Sequence, residues 1–595
     1  MLESHAMAYN APVSDIAFAL TNLAGLPRLQ GNAAFENYDS DLIEPILEEA
    51  GKLARDILAP LNQSGDKAGA VLGPDGVKAA PGFGQAYAAF RDGGWMGLSV
   101  PEAWGGQGLP KVLGLAVMEM FHSANMAFGL CPMLSFGAIE VLLAHGTSEQ
   151  QAKYLPKLVS AHWTGTMNLT EPQAGSDVGA LRTKAVPNDD GSYAISGQKI
   201  YITWGDHDVA ENIIHLVLAR LPDAPEGTRG VSLFLVPKFV IGDDGALGPR
   251  NGVECIGLEH KVGIHASPTC VMEYSQATGW LIGDENKGLA CMFTMMNAAR
   301  LNVGLEGVGV GEAAWQAAFE YAQERKQGKA VGVKGAAPIL HHADIRRTLT
   351  TMRAKVMAAR GICYACAVAA DLAEVGDSAE VREAAKLREE LLTPIAKAWS
   401  TDMGVEVASL GVQVHGGMGY MNETLAAQLY RDARIAPIYE GTNGIQAIDL
   451  VGRKLSMADG AAMTAMMAEI EVTAREARET NDPGLVQIAE RLLAANAALG
   501  EATQWMRTAM ADDRETALAG ATAYLALAGD VIGGHFLAKG AVAARASDAQ
   551  TRGRMTALAG FFAETALAAA PGAVAGITQG GKAMLAQSDA LFGIA

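Results

Sequence analysis

Glu440 is the carboxylate whose neighbours best suit proton chemistry. It follows the apolar run Ile435-Ala436-Pro437-Ile438-Tyr439 and precedes Gly441-Thr442-Asn443-Gly444. A free Glu side chain, with a pKa of about 4.3, is a weak base, so a working carboxylate base needs surroundings that exclude water. Taken alone, Glu440 also reads as a residue that begins or caps a helix, the commoner role for a single Glu at such a place. Thr170-Glu171-Pro172-Gln173-Ala174-Gly175-Ser176-Asp177 reads as a turn followed by a helix N-cap, in which Gly175 would let a backbone approach closely. Tyr201 and Thr203 stand two apart on a predicted strand and so face one side, as a stacking surface with a hydroxyl or as ordinary β-residues. Arg325, in Gln323-Glu324-Arg325-Lys326-Gln327-Gly328, and Gln413-Val414-His415-Gly416-Gly417 offer charge and backbone freedom suited to phosphate. A solvated helix-end Arg and a plain Gly turn are the alternative.

Other chemistries find no constellation. No G-x-G-x-x-G follows a strand and opens a helix, so a dinucleotide-binding Rossmann unit is not expected. Cys363 and Cys366 form a C-x-x-C pair inside a helical heptad pattern, without a second pair or a His cluster, and read as core thiols. His341-His342 reads as a capped surface pair at a helix start, and no metal site is expected.

These residues need three kinds of scaffold. From Tyr38 to about Leu158 the apolar spacing is three and four, through Leu42, Ile46, Leu47, Leu53 and Ile57, which predicts helices broken at Trp104-Gly105-Gly106-Gln107-Gly108. From about Thr164 the texture becomes short apolar or alternating runs, Tyr193 to Ile202, Ile213 to Leu218 and Val231 to Val236, which predicts a β-domain. Helical texture returns near Gly288. It is strongest where Ile345, Leu349, Met352, Val356, Ala359 and Cys363 recur at steps of four and three, the seam of a bundle helix. Beyond Lys454, Ala-rich segments broken at Asn481-Asp482-Pro483-Gly484 and Gly533-Gly534 predict an additional helical domain. The expected divisions are an N-terminal arm at 1–37, with a cloning scar at 1–6 before Met7, a helical domain at 38–162, a β-domain at 163–284, a helical bundle at 285–455 and a helical extension at 456–595.

Composition narrows the class. A chain of 595 residues exceeds one hydrophobic core, and a net charge of −19 offers nucleic acid no global attraction. Any anionic ligand must be met by local Arg and helix N-termini. No run of eighteen strongly apolar residues lacks a charge, so no membrane span is expected. Six scattered cysteines form no disulfide framework and fit a reducing compartment, the cytoplasm by default.

Thr166-Met167-Asn168-Leu169 with Thr170 to Asp177, Gln198-Lys199-Ile200-Tyr201-Ile202-Thr203, and Tyr430-Arg431-Asp432-Ala433-Arg434 with Ile435 to Asn443 resemble, in order and spacing, the signature segments of the FAD-dependent acyl-CoA dehydrogenase family. The resemblance runs from about Tyr38 to Lys454, with weaker support from the Trp104 turn and from Leu281 to Gly288. The long extension is similar to that of a long-form subset, among them the 3-methylthiopropanoyl-CoA dehydrogenases. The resemblance implies an N-terminal helical domain, a middle β-barrel and a four-helix bundle, with Glu440 as the base that takes the C2 proton of an acyl-CoA thioester. It assigns Met167, Leu169, Thr170, Gly175, Ser176, Tyr201, Ile202, Thr203, Arg325, Gln413, Gly416, Gly417 and Thr442 to FAD. Ser176, Asn297, Arg300 and Gly441 are assigned to the substrate. Relatives commonly carry Trp where Tyr201 stands and Gln where Gly444 stands, so a flavin contact at Gly444 is left out. Some relatives place the base one residue before the Arg, and Ala299 there cannot serve.

The resemblance further implies an electron-transferring flavoprotein as acceptor and a homodimer as the active unit. An acyl-CoA oxidase would share base and cofactor, and a short- or medium-chain acyl-CoA competes with 3-methylthiopropanoyl-CoA as substrate. A nucleic-acid-binding flavoprotein of the adaptive-response type would need a basic extension. After Ser456 this chain has more Asp and Glu than Lys and Arg, with Asp512-Asp513 where a basic stripe would stand. A catalytically silent assembly subunit is disfavoured because Glu440 is still a carboxylate.

Overall fold

The computed structural model describes residues 9–242 and 245–593, so the expected scar at 1–6 lies outside the described residues. The chain forms two compact units, one built from residues 48–109 and 120–302, the other from 12–47, 110–119 and 303 onward. The order of textures is the expected one: helices, a β-domain, a helical bundle and further helices.

In the first unit, helices α1 (Phe83–Asp92), most of α2 (Lys111–His145) and α3 (Ser148–Val159) precede the sheet. Helix α3 starts at a reciprocal cap: Thr147 Oγ1 accepts from the Gln150 N–H at 3.2 Å and Gln150 Oε1 accepts from the Thr147 N–H at 3.0 Å. The Gln150 amide also donates to the Leu281 carbonyl at 2.8 Å, tying the helix to the sheet. Strands β1 (Trp163–Asn168), β2 (Lys184–Pro187), β3 (Tyr193–Thr203), β4 (Asn212–Ala219), β5 (Ser232–Pro237), β6 (Val253–Leu258) and β7 (Thr269–Ile282) form one sheet in the order β1-β4-β5-β7-β3-β2, with β6 on β7. Among the described residues, β1 and β4 pair in parallel, the other strand pairs of this sheet are antiparallel, and a single parallel bridge joins Lys184 to Arg220. Every residue of β4 and β5 is buried, which explains their largely apolar runs, with Asn212, His215 and Ser232 as buried polar exceptions. A short hairpin, Val71–Gly73 with Gly76–Lys78, interrupts the N-terminal helices and was not anticipated.

In the second unit, α4 (Gly288–Glu324, from Val303 onward), α5 (Ala343–Val375) and α6 (Ala379–His415) are long bundle helices, followed by α7 (Leu425–Ala433) and α8 (Asn443–Gly452). The expected seam of α5 is buried at Leu349, Met352, Val356, Ala359 and Cys363. Helix α4 approaches α6 so closely that a Cβ on Gly307 would lie 2.2 Å from the Ser400 carbonyl oxygen. The extension forms α9 (Ala461–Glu479), α10 (Pro483–Asp512), α11 (Arg514–Ala543), α12 (Ala549–Phe562) and α13 (Ala568–Leu585). Asp513, half of the acidic pair, caps α11 by accepting from the Thr516 N–H at 3.4 Å.

A chain of buried charges binds this unit together. Arg360 on α5 is fully buried between Glu119, at 2.6 Å, and Glu312 on α4, at 2.9 Å. Glu312 also pairs with Arg353, Arg353 with Asp15, and Asp15 with Arg554 of α12 at 2.7 Å. Burial pushes the Glu312 carboxyl up, but the guanidinium groups of Arg353 and Arg360 outweigh it and hold it at about 2.

The absence of charge-free runs was too strict a criterion for membrane spans. By length and composition alone, four helical stretches among the described residues are long and apolar enough to cross a membrane. In Lys111–His145, Ala343–Val375 and Arg514–Ala546, 83%, 89% and 67% of the apolar window is buried inside the protein, so their apolarity serves packing. The fourth, Ala549–Leu585, is 33% buried.

Candidate active site

In the β-domain, the segment 167–177 leaves β1 as a turn closed by Glu171 and Ala174, whose N–H and C=O groups bond reciprocally at 3.0 Å. Glu171 is the anchor. Its buried carboxylate accepts from the Arg182 N–H at 2.6 Å, the Thr183 N–H at 3.0 Å, the Thr183 hydroxyl at 2.6 Å and the Lys199 ammonium at 2.8 Å. Burial raises the Glu171 carboxyl, but the Lys199 charge and these donors prevail and hold it at about 2. Lys199, fully buried on β3, also donates to the Leu169 carbonyl at 3.1 Å, and the Ile200 N–H donates to the Thr170 carbonyl at 2.9 Å. Beneath β1, Thr166, Asn168, His215 and Tyr274 form a buried network, with Thr166 Oγ1 to His215 Nδ1 at 2.7 Å and Tyr274 OH donating to Asn168 Oδ1 at 2.8 Å. Burial pushes the His215 imidazole down to about 3, so it is neutral.

Strand β3 is not the regular strand that a period of two presumes. Its register against β7 jumps between Lys199↔Met272 and Ile202↔Cys270, and Tyr201 at the bulge has φ of 60°, the left-handed region. Tyr201 is 59% exposed, an aromatic side chain held outward on strained backbone. Such strain recurs at functional sites. Ile202 points the other way into the sheet core at 2% exposure, so its side chain is not available to a cofactor and only its main chain is. Thr203 is half-buried. The buried aromatic is Trp204, packed on Phe83 and donating to the Ala127 carbonyl at 3.1 Å. Gly175 has no positive φ and nothing near its Cβ position, and it stands exposed beside Ser176. On the N-terminal part of α4, Ala299 is buried, and Arg300, 8% exposed, lies 3.5 Å from Asn297 Oδ1 and 5.9 Å from the Phe293 ring.

In the second unit, Glu440 sits in the turn between α7 and α8, partly buried, with φ of 56°, and Gly441 follows with φ of 82°. Two successive left-handed residues make a sharp corner that Gly441 takes without steric cost. The corner is clamped from behind. Asn443 donates to the Ala398 carbonyl at 3.0 Å and to Asp402 at 2.8 Å, and accepts from the Lys397 ammonium at 2.8 Å. The Gln446 amide donates to the Glu440 carbonyl at 3.2 Å, and Thr442 caps α8 by accepting from the Ile445 N–H at 3.3 Å. The helix cap at this place is therefore Thr442. Arg325, Gln413, Gly416, Gly417 and Thr442 are exposed. Within the first unit the outward Tyr201 suits the face of an aromatic cofactor ring, and within the second the exposed Arg325 and Gly416-Gly417 suit a diphosphate, so each set by itself fits FAD.

Two residues here escaped the sequence reading. Glu306 is fully buried on α4 and accepts a hydrogen bond from the Tyr439 hydroxyl, and Lys397 is fully buried on α6. The available signal was a charge on an apolar helical stripe, Leu305-Glu306-Gly307, beside small residues that admit α6. His342 does not cap α5 with its side chain; its ring instead bonds the Gln327 carbonyl at 2.8 Å.

Four family models match: acyl-CoA dehydrogenase N-terminal domain at 46–162, middle domain at 166–277, C-terminal domain at 286–455, and acetyl-CoA dehydrogenase C-terminal-like at 466–588. The chain is 45% identical over 589 residues to 3-methylmercaptopropionyl-CoA dehydrogenase of Ruegeria pomeroyi, covering 98% of this chain and 100% of that protein. The chain belongs to the acyl-CoA dehydrogenase family. A butyryl-CoA dehydrogenase of Syntrophomonas wolfei is 35% identical over 77% of each chain. The acyl-CoA dehydrogenase of Bacillus anthracis complexed with FAD shares the fold, with a TM-score of 0.72 at 23% identity, over 91% of this chain and 88% of that one. As an acyl-CoA dehydrogenase, the protein is an FAD-dependent oxidoreductase that converts an acyl-CoA thioester to its 2,3-enoyl-CoA.

Proposed function

We propose that this acyl-CoA dehydrogenase uses Glu440 as its base and 3-methylthiopropanoyl-CoA as its substrate, giving methylthioacryloyl-CoA. The observation that supports the base is the corner at Glu440: a carboxylate on two successive left-handed residues, clamped by Asn443 and Gln446, with Thr442 as the cap of the helix that follows. The substrate reading is supported by 45% identity that runs through the extension to a relative of that name.

In this reading the Glu440 carboxylate takes the C2 proton, and the electron pair left behind forms the C2=C3 bond as C3 gives up a hydride. The hydride needs a two-electron acceptor, which FAD supplies when bound. Met167, Leu169, Thr170 and Ile202 through their main chain, with Thr203 and the face of Tyr201, would hold the flavin ring, and Gly175 and Ser176 would meet its diphosphate. Arg325, Gln413, Gly416, Gly417 and Thr442 hold the rest of the cofactor. Ser176, Asn297, Arg300 and Gly441 bind the thioester. The Lys199 to Glu171 anchor holds the carbonyl of Leu169 and with it the segment 167–177.

The reading extends to four working segments at 38–162, 163–284, 285–455 and 456–595, to a homodimer, to an electron-transferring flavoprotein as acceptor, and to a cytoplasmic enzyme whose six cysteines are free and buried. A panel of 3-methylthiopropanoyl-, butanoyl-, octanoyl- and palmitoyl-CoA, scored by anaerobic bleaching of the flavin, tests the substrate. 3-Methylthiopropanoyl-CoA is expected to give the highest rate constant per bound substrate. A higher rate with butanoyl-CoA would make this a short-chain fatty acyl enzyme.

A further inference from the structure

Glu306 is a buried acid that the mechanism above does not use. Its Oε2 accepts from the Tyr439 hydroxyl, and its Oε1, also buried, has no hydrogen-bond partner among the described residues. Tyr439 is the residue immediately before Glu440 in the clamped corner. The acid is held at this place by packing. It lies between Gly304 and Gly307, and a Cβ on these would stand 2.6 Å from the Ala396 carbonyl oxygen and 2.2 Å from that of Ser400, so the backbone of α6 closes over it. The charged and titratable groups that act on Glu306 are Tyr439 and Glu440 from the corner and Lys397 from α6. The Lys397 ammonium is committed to Asn443 at 2.8 Å, and Asp402 shares that same Asn443.

We propose that Glu306 is a positioning residue that stores a proton behind Glu440, linked to it through Tyr439, so that the two carboxyls carry one negative charge between them and Glu440 is the one that carries it. This rests on the reading of Glu440 as the base. The assignment of the charge follows from burial: Glu306 is fully buried and Glu440 partly exposed, so the neutral form belongs to Glu306. Burial pushes the Glu306 carboxyl up; the Tyr439 hydrogen bond draws it back, Glu440 adds to the rise and Lys397 opposes it, leaving it at about 8. Below that pH Glu306 is neutral, and Glu440 can be ionised without a like charge beside it. Above it Glu306 ionises, the corner holds two charges, and the proton affinity of Glu440 rises. Each added pKa unit of basicity, passed on with a Brønsted slope near one half, is about a threefold rise in the rate of proton abstraction.

The test compares the holoenzyme with Glu306→Gln and Tyr439→Phe between pH 6 and pH 10. Two readouts are followed: the single-turnover rate of flavin reduction by saturating 3-methylthiopropanoyl-CoA, or by butanoyl-CoA if that is the better substrate, and the infrared band of protonated carboxyl groups in the substrate-free enzyme. The wild-type rate is expected to rise about threefold or more through a step near pH 8. A carboxyl band should disappear through the same step. Glu306→Gln should lose both the step and the band. Tyr439→Phe should move the step to higher pH, because the hydrogen bond that draws the acid back is gone, and this variant carries the test if Glu306→Gln does not fold. A step and band that persist unchanged in Glu306→Gln, or a wild type with neither, would overturn the proposal. Failure of the base reading is separate: it would appear as a Glu440→Gln enzyme that reduces its flavin at the wild-type rate, whatever the infrared band does.

Discussion

Replacing Lys199 with Met isolates the anchor of the segment that follows β1. The substitution keeps the length and apolar stem of the side chain but removes the ammonium that joins Glu171, at 2.8 Å, to the Leu169 carbonyl, at 3.1 Å. Breaking a buried pair by removing one partner costs about 3–5 kcal/mol. Here four donors, from Gln173, Arg182 and the N–H and hydroxyl of Thr183, still reach the Glu171 carboxylate, which favours the lower end, while the released Leu169 carbonyl adds about 1 kcal/mol if it stays dry. A local loss of about 3–4 kcal/mol is some two to three orders of magnitude in an opening equilibrium. Hydrogen exchange of peptides covering 168–183 should therefore accelerate by at least about a hundredfold. Retention of FAD through a desalting column should fall with it. Lys199→Met with Glu171→Gln should recover more than half of the loss, since no uncompensated charge then remains buried. Exchange and flavin content unchanged in Lys199→Met would refute the claim that this pair sets the turn.

The buried charge chain of the second unit predicts that Arg360→Met lowers stability by about 3–5 kcal/mol in urea unfolding, because Glu119 and Glu312 are 1% and 0% exposed and each loses a partner. Equal unfolding midpoints would show that the network carries no net stability. Tyr201→Ala, at a side chain 59% exposed, should change stability by no more than about 0.5 kcal/mol. Titration of the apoprotein with FAD should nonetheless show it weakened about tenfold or more, the worth of a stacking contact of about 1.4 kcal/mol. Unaltered affinity would remove Tyr201 from the flavin contacts.

The succession of helical, β and helical segments was legible because apolar spacing follows the period of each element. Leu349, Met352, Val356, Ala359 and Cys363 all lie buried on α5 as their spacing requires. Glu440 was legible only through its flanking motif, since a lone Glu before Gly-Thr-Asn reads as a cap until the structure gives that task to Thr442. The bulge at Tyr201 was not legible. It arises from the register between β3 and β7, a pairing of residues some seventy positions apart that neither strand encodes by itself. Glu306 and Lys397 were hidden for the opposite reason: each is a charge on a helix whose surroundings are otherwise apolar, and only the packing of α4 on α6 brings them to the Glu440 corner.

The most direct test of the account is single-turnover reduction of bound FAD in Glu440→Gln under anaerobic conditions, beside wild type. The carboxamide is nearly isosteric, and the clamp grips the Glu440 main-chain carbonyl and Asn443, which the substitution keeps, so the variant should keep its flavin and still bind thioester. Without a carboxylate to take the C2 proton, its rate of bleaching should fall by about three orders of magnitude or more, within the range expected of a general base held in place. A Glu440→Gln enzyme that bleaches its flavin as fast as wild type would contradict the assignment of the base.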